Sequence, residues 1–294
     1  MKTTVSCSRK VFLAFNNVLL VLLALVCILP FIHVIAISFS GKAETSAGMV
    51  GLWPVGFNID TYAFLLKKTA FWNAFLRSVE RLVLGTSINL FLIILTAYPL
   101  SRSNAKLPER TIYSWFFFIT MLISGGLIPT YVLVANLHLR DTIWALVLPR
   151  ALPAFNLVLM LNFFRRVPQE LEEAALIDGA GHLRTLVQIF IPVSIPAIST
   201  IALFCMVNHW NAWFDGLIYT NTPGKLPLQS YLRSIVIEMD MSQMDSESWA
   251  DVQEMSNRAL KCAQIVIATL PILCVYPFLQ RYFVTGLVLG SVKG

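Results

Sequence analysis

The residues best placed to do chemistry form one acidic cluster, Gln169-Glu170-Leu171-Glu172-Glu173-Ala174-Ala175-Leu176-Ile177-Asp178-Gly179. Pro168 fits the first position of a helix, where its missing N–H has no partner to lose. The carboxylates that follow sit where the helix dipole favours negative charge. Gly179 and Gly181 can end that helix in a left-handed turn. The pattern predicts a short helix over about 169–178. Its apolar residues Leu171, Ala174, Ala175 and Ile177 are small or lie to one side, so another surface can approach closely. A second set is polar but sits within apolar runs: Arg150, Asn156, Asn162, Asn208, Trp210, Asn211 and Trp213, with Tyr219 just beyond. An arginine inside a membrane span costs about 2.5–3.5 kcal/mol on insertion scales, which implies a role or a partner.

Other chemistries find little support. The four histidines, His33, His138, His182 and His209, lack metal-ligand spacing. No G-x-x-x-x-G-K-[ST] loop is present, since Pro223-Gly224-Lys225-Leu226 does not form one. The five cysteines include no C-x-x-C pair and read as small apolar residues. A membrane-bound enzyme is therefore not favoured.

The elements that must hold these residues are membrane spans. Of 294 residues, 57% are hydrophobic and 13% charged, against about 25% charged in an ordinary soluble domain. The mean hydropathy is +0.71. A bilayer core needs roughly 20 apolar residues per helix. Six stretches qualify, at about 11–39, 71–100, 108–123, 143–164, 190–214 and 259–278, with 165–189 as the loop carrying the acidic cluster. Gly125, Gly126 and Pro129 interrupt the third, and a short apolar piece, 131–137, follows it. The first stretch is longer than a signal-peptide core and reads as an uncleaved span. The fold expected is an all-α, single-domain, six-span membrane protein over 1–294 with both termini on one side. Arg102, Lys106 and Arg110 crowd one short loop, and Lys2, Arg9 and Lys10 mark the N-terminal tail, whereas Lys225 and Arg233 lie in a long loop. Weighted to short loops, basic residues place both termini in the cytoplasm. The net charge of +6 is spread between apolar runs. That distribution suits membrane flanks better than a phosphate-binding face, so no nucleic-acid partner is expected. Prolines 30, 149, 153, 196, 271 and 277 lie in apolar runs and predict kinked helices around a polar path.

Several motifs carry a family resemblance. Glu173-Ala174-Ala175, three residues, Gly179, nine residues, then Ile189-Phe190-Ile191-Pro192 is similar to the EAA loop of binding-protein-dependent ABC importer permeases, E-A-A-x3-G-x9-I-x-L-P, with Ile191 in place of Leu. Ala97-Tyr98-Pro99-Leu100-Ser101-Arg102 resembles that family's A-Y-x-L-[AS]-R, and its W-N-x-F looks shifted here as Trp210-Asn211-Ala212-Trp213-Phe214. Residues 124–131 and the segment Gln280-Arg281-Tyr282-Phe283-Val284 resemble the sugar-importer branch related to the maltose permease's shorter subunit, and within it the subgroup serving polysaccharide-derived oligosaccharides.

The resemblance implies the type I importer permease fold in a bacterial cytoplasmic (inner) membrane. It implies a homologous second permease subunit, two ABC ATPase subunits carrying ATP and Mg, and an extracytoplasmic solute-binding protein. The loop would be a coupling helix on the ATPase, with Glu172, Glu173, Ala174, Ala175, Asp178, Gly179 and Pro192 as its residues, His182 beside it and 284–294 as a second contact. Arg150, Asn156, Asn208, Trp210, Asn211 and Trp213 are candidates for an oligosaccharide path. The loop 218–257, with Asp240, Asp245, Glu247, Asp251 and Glu254 beside Trp249, is the expected docking surface for the binding protein. Lys67, Lys68, Arg77, Arg81, Arg140 and Arg150 suggest an anionic, uronate-containing sugar, although Arg77 can pair with Glu80 and Arg81 with another acid. The alternative is an ion-coupled secondary transporter, for which neither an inverted repeat nor a set of mid-membrane ionisable residues is visible.

Overall fold

In the computed structural model, residues 7–103, 107–237 and 257–289 are described. Every regular element among them is helical. Lys106, the acidic docking-loop residues from Asp240 to Glu254 and the tail beyond 289 lie outside the described residues. The chain divides into two compact units, Met1–Lys68 with Val236–Leu270, and Thr69–Ile235 with Pro271–Gly294.

In the first unit, α1 (Cys7–Ser38) is a continuous 32-residue helix with Pro30 inside it. Its large apolar side chains from Val11 to Leu29 are exposed, as lipid-facing side chains are. The short helices α2 (Lys42–Ser46) and α3 (Asp60–Lys67) follow. Ala36, Ile37, Val50 and Cys262 bury a small core. Beside it the Tyr62 hydroxyl donates to Ser38 Oγ at 2.8 Å.

The second unit is built on α4 (Thr69–Ser101), α5 (Arg110–Leu122), α6 (Leu127–Asn136), α7 (Ile143–Val147), α8 (Ala154–Phe164), α9 (Gln169–Ile177), α10 (His182–Thr185), α11 (Ile191–Val193), α12 (Ile195–Asn211), α13 (Phe214–Tyr219) and α14 (Leu228–Ile237). A final helix, α15 (Asn257–Leu289), contributes to both units. The main core lies where Ile93, Ala97 and Leu100 of α4 meet Leu157, Met160 and Phe164 of α8, Ile201 and Cys205 of α12, and Phe190. The three- and four-residue spacings place each set on one helix face.

Among the described residues, two helices, Arg9–Ser38 and Thr69–Ser101, are long and apolar enough to cross a membrane alone, and three bent pairs meet the same test together. The bends follow from local chemistry. Between α5 and α6 the chain turns by 111° at Gly126, whose φ of 87° lies in the left-handed region. The expected 108–123 stretch and the separate 131–137 piece are therefore the two arms of one bent pair.

Leu148–Arg150 forms a 3-10 turn, and a 50° bend separates it from α8 at Pro153, which supplies no N–H. The expected 190–214 stretch is not one helix. It breaks by 83° at Ser194, between Pro192 and Pro196, and its entering arm begins at His182 and passes through a π-helical turn, Leu186–Phe190. Two prolines four residues apart remove two successive chances of an i→i−4 bond.

Candidate functional site

The acidic loop forms its helix almost as its residues dictate, with two differences. Pro168 is extended (φ −54°, ψ 136°) and stands just before α9, which starts at Gln169 and ends at Ile177. Only Gly179 makes the left-handed turn, at φ 76°, its N–H donating to the Leu176 carbonyl at 3.1 Å. Gly181 has φ −72° and leads into α10.

α9 buries one of its acids and exposes its large apolar side chains beside Gln169, Glu170 and Glu173. Its buried positions are Glu172, 2% exposed, and Ala175, while Leu171, Leu176 and Ile177 are exposed, Ile177 at 86%. Glu173, Ala174, Asp178 and Pro192 are also exposed. The buried acid is held by Arg102 Nη1 at 2.6 Å. The Arg102 guanidinium lies 4.2 Å from the Phe190 ring centroid and 4.9 Å from that of Tyr98, and its Nη2 donates to Ser101 Oγ at 2.6 Å. Thus the end of α4, the acidic helix and the Ile189–Pro192 segment meet around one guanidinium. In the sequence Arg102 reads as a basic membrane flank. The missed signal is that the 97–102 motif and the acidic loop are expected on the same membrane side.

Further along α4 lies a cavity of about 260 Å³, lined by Arg81, Asn89, Arg150, Asn156, Asn208 and His209 with the prolines of the α7–α8 break. Asn89 Nδ2 donates to the carbonyls of Arg150 and Ala151 at 2.7 and 3.0 Å. These carbonyls lie where the helix breaks, so a buried asparagine supplies what the helix does not. That leaves Asn89 Oδ1 facing His209 Nε2 at 2.6 Å, so His209 must carry its proton on Nε2 and donate it. Gly85 makes room for the ring, because a Cβ there would collide with His209.

Arg81 is fully buried and ion-paired to both carboxylate oxygens of Asp215. It also donates to the carbonyls of Leu146 at 3.3 Å and Ala212 at 3.2 Å. Asn89 and Asp215 were not singled out from sequence; a lone amide and a lone acid next to apolar runs were the available signals.

The expected path residues separate. Arg150, Asn156 and Asn208 line this cavity, whereas Trp210, Asn211 and Trp213 do not. Trp210 is buried edge-on to Phe75, and Trp213 lies 3.9 Å beneath the Arg233 guanidinium. Asn162 lines a different recess beside Arg110 and Arg165, and Tyr219 stacks on Tyr131. The expected basic excess is mostly neutralised or covered. Arg77 pairs with Glu80 at 2.7 Å, Arg81 with Asp215, Lys68 lies 4.1 Å over Phe64, and Arg140 lies 5.6 Å from the Tyr131 ring.

Arg77 and Glu80 border a more open recess of about 730 Å³ with Asp141, Trp144 and Lys225. There the Asn221 and Thr222 N–H groups donate to Asp141 Oδ1 at 2.7 and 2.9 Å. Those two bonds hold the Asp141 carboxyl below the ordinary carboxylate range.

Residues 8–288 match the family described as binding-protein-dependent transport system inner membrane component. The chain belongs to that family. Relatives of this permease include the polygalacturonan/rhamnogalacturonan transport system permease protein YtcP of Bacillus subtilis strain 168, 42% identical over 94% of this chain and 96% of that one. Protein LplC of the same organism is 41% identical over 92% of this chain and 90% of its own length. Among solved structures, a bacterial ABC transporter involved in import of the acidic polysaccharide alginate superposes with a TM-score of 0.84 at 31% identity, covering 96% of this chain and all of that one. The match favours the importer reading over the ion-coupled carrier.

Proposed function

We propose that this permease is a membrane-spanning subunit of an ATP-driven ABC importer that takes up acidic oligosaccharides derived from polysaccharides. The observation that carries the substrate class is the 42% identity to a polygalacturonan/rhamnogalacturonan permease over nearly the full length of both chains. In this reading a single permease domain crosses a bacterial cytoplasmic membrane six times, with both termini in the cytoplasm. A binding protein delivers the sugar from outside, a homologous second permease completes the path, and two ATPase subunits hold the ATP and Mg.

The helix α9 is the coupling helix. Its exposed Glu173 and its apolar side chains Leu171 and Ile177 suit a groove on another protein better than water. When ATP closes the ATPases, their grooves move. A short helix fixed at one end by Gly179 and on its buried side by Arg102 carries that motion into α4 as a rigid-body displacement.

The test is substrate-stimulated ATP hydrolysis by the assembled importer carrying Glu173→Lys or Gly179→Pro. Proline fixes φ near −65° and has no N–H, so it can make neither the left-handed turn nor the bond to Leu176. Both variants are expected in the membrane with stimulation abolished. Wild-type stimulation in both would show that α9 is not the ATPase contact.

A further inference from the structure

We infer that Arg150 is a carboxylate-binding subsite for uronate units inside the translocation cavity. The inference rests on the importer reading and deepens it by naming where the sugar's charge is recognised.

Arg81, on the same cavity wall, is consumed by Asp215 and two backbone carbonyls. Arg150 lines the cavity yet makes no ion pair or side-chain hydrogen bond among the described residues, and it is exposed. A guanidinium embedded in an apolar segment without a partner is costly unless an anion visits it. Its planar fork can bond both oxygens of one carboxylate, which a lysine cannot do.

The presentation of Arg150 is also fixed. It ends the 3-10 turn Leu148–Arg150, between Pro149 and the bend at Pro153. Asn89 clamps the carbonyls of Arg150 and Ala151, and His209 clamps Asn89 in turn. A buried chain from α12 through α4 thus holds the turn from which the guanidinium projects. Such pre-organisation lowers the ordering cost of binding.

The neighbours suit the rest of a sugar. Asn156 is buried, and its Nδ2 donates only to the weak acceptor Cys205 Sγ, at 3.3 Å. Its amide oxygen has no donor among the described residues. Asn208 is an exposed amide on the same cavity. One cation with two amides around about 260 Å³ fits a charged, hydroxyl-rich ring better than an apolar or cationic solute.

The experiment uses the assembled importer in lipid nanodiscs without its binding protein, so that the binding protein's own selectivity does not enter. Equilibrium binding of a radiolabelled oligogalacturonate is compared with that of the same oligosaccharide after reduction of its carboxyl groups. A charge-assisted contact predicts that wild type prefers the acidic sugar by about ten- to a hundred-fold. Arg150→Gln should lose that preference while keeping its affinity for the reduced sugar, and Arg150→Lys should retain part of it. Arg150 is exposed, so assembly should persist in both variants. Equal wild-type affinity for the two sugars, or an equal loss for both in Arg150→Gln, overturns the subsite. If uronate-loaded binding protein still stimulates ATP hydrolysis in that case, the importer reading stands. If no oligosaccharide stimulates hydrolysis, both fall.

Discussion

Arg102→Ala is expected to uncouple the permease without preventing its insertion. Arg102 and Glu172 approach to 2.6 Å, and their side chains are 10% and 3% exposed. Removing one partner from a buried pair costs about 3–5 kcal/mol, because the remaining charge stays buried. The guanidinium also lies over Phe190 and Tyr98, contacts worth about 0.5–1 kcal/mol at exposed sites and more when desolvated. The loss falls on the attachment of α9 to α4 and on the Phe190 edge of the core, while Ile93 lies nine residues, more than two helical turns, further along α4. Each 1.4 kcal/mol is tenfold in an equilibrium, so α9 should detach at least a hundred-fold more often.

Amide exchange over 169–180 should therefore rise steeply in the purified complex, with exchange in the middle of α4 unchanged. In proteoliposomes, ATP hydrolysis should continue while sugar uptake per ATP falls. Arg102→Lys keeps the charge but loses the fork to Ser101 and the flat face against Phe190, and should fall between. Wild-type loop exchange together with a wild-type uptake-to-ATP ratio in Arg102→Ala would show that the Arg102–Glu172 pair does not hold α9 to α4.

Two further outcomes follow from local geometry. Gly85→Ala places a Cβ against the His209 ring, and overpacking of this kind costs about 1–3 kcal/mol, so thermal unfolding of the purified complex should shift down and the Asn89–His209 pair should loosen. The lowered Asp141 carboxyl makes its bonds to Asn221 and Thr222 favourable above its unfolded pKa near 3.9 and lost as pH falls through the lower folded value. Amide exchange at 221 and 222 should accelerate on acidification below about pH 4, and Asp141→Asn should show fast exchange already at neutral pH.

The elements that were legible in the sequence are those fixed by local rules. Long apolar runs gave α1 and the greater part of α4, and the proline, carboxylate and glycine order gave α9 to within a residue. Three site residues, Arg150, Asn156 and Asn208, were visible as polar types in apolar runs, and the cavity gathers them. What escaped is long-range. Arg102 and Glu172 are 70 positions apart, Arg81 and Asp215 are 134 apart, and Asn89 and His209 are 120 apart. Periodicity carries no information about such pairings, because each member looks locally like an isolated polar residue. Trp210 and Trp213 fall outside that cavity, packed against Phe75 and Arg233, and neither packing partner is visible from local pattern.

The exposed apolar side chains of α9 have a consequence for biogenesis. On the cytoplasmic side proposed for this loop, a newly inserted permease presents Leu171, Leu176, Ile177, Leu183 and Val187 to water, with one of its acids, Glu172, tucked inward against Arg102. Exposed apolar side chains of this kind are what chaperones and quality-control proteases bind. In the assembly proposed above, docking of the ATPase hides that surface, so an orphan subunit differs from an assembled one by exposed apolar side chains. On the coupling role proposed for it, α9 would thus also report whether an ATPase is present to couple to.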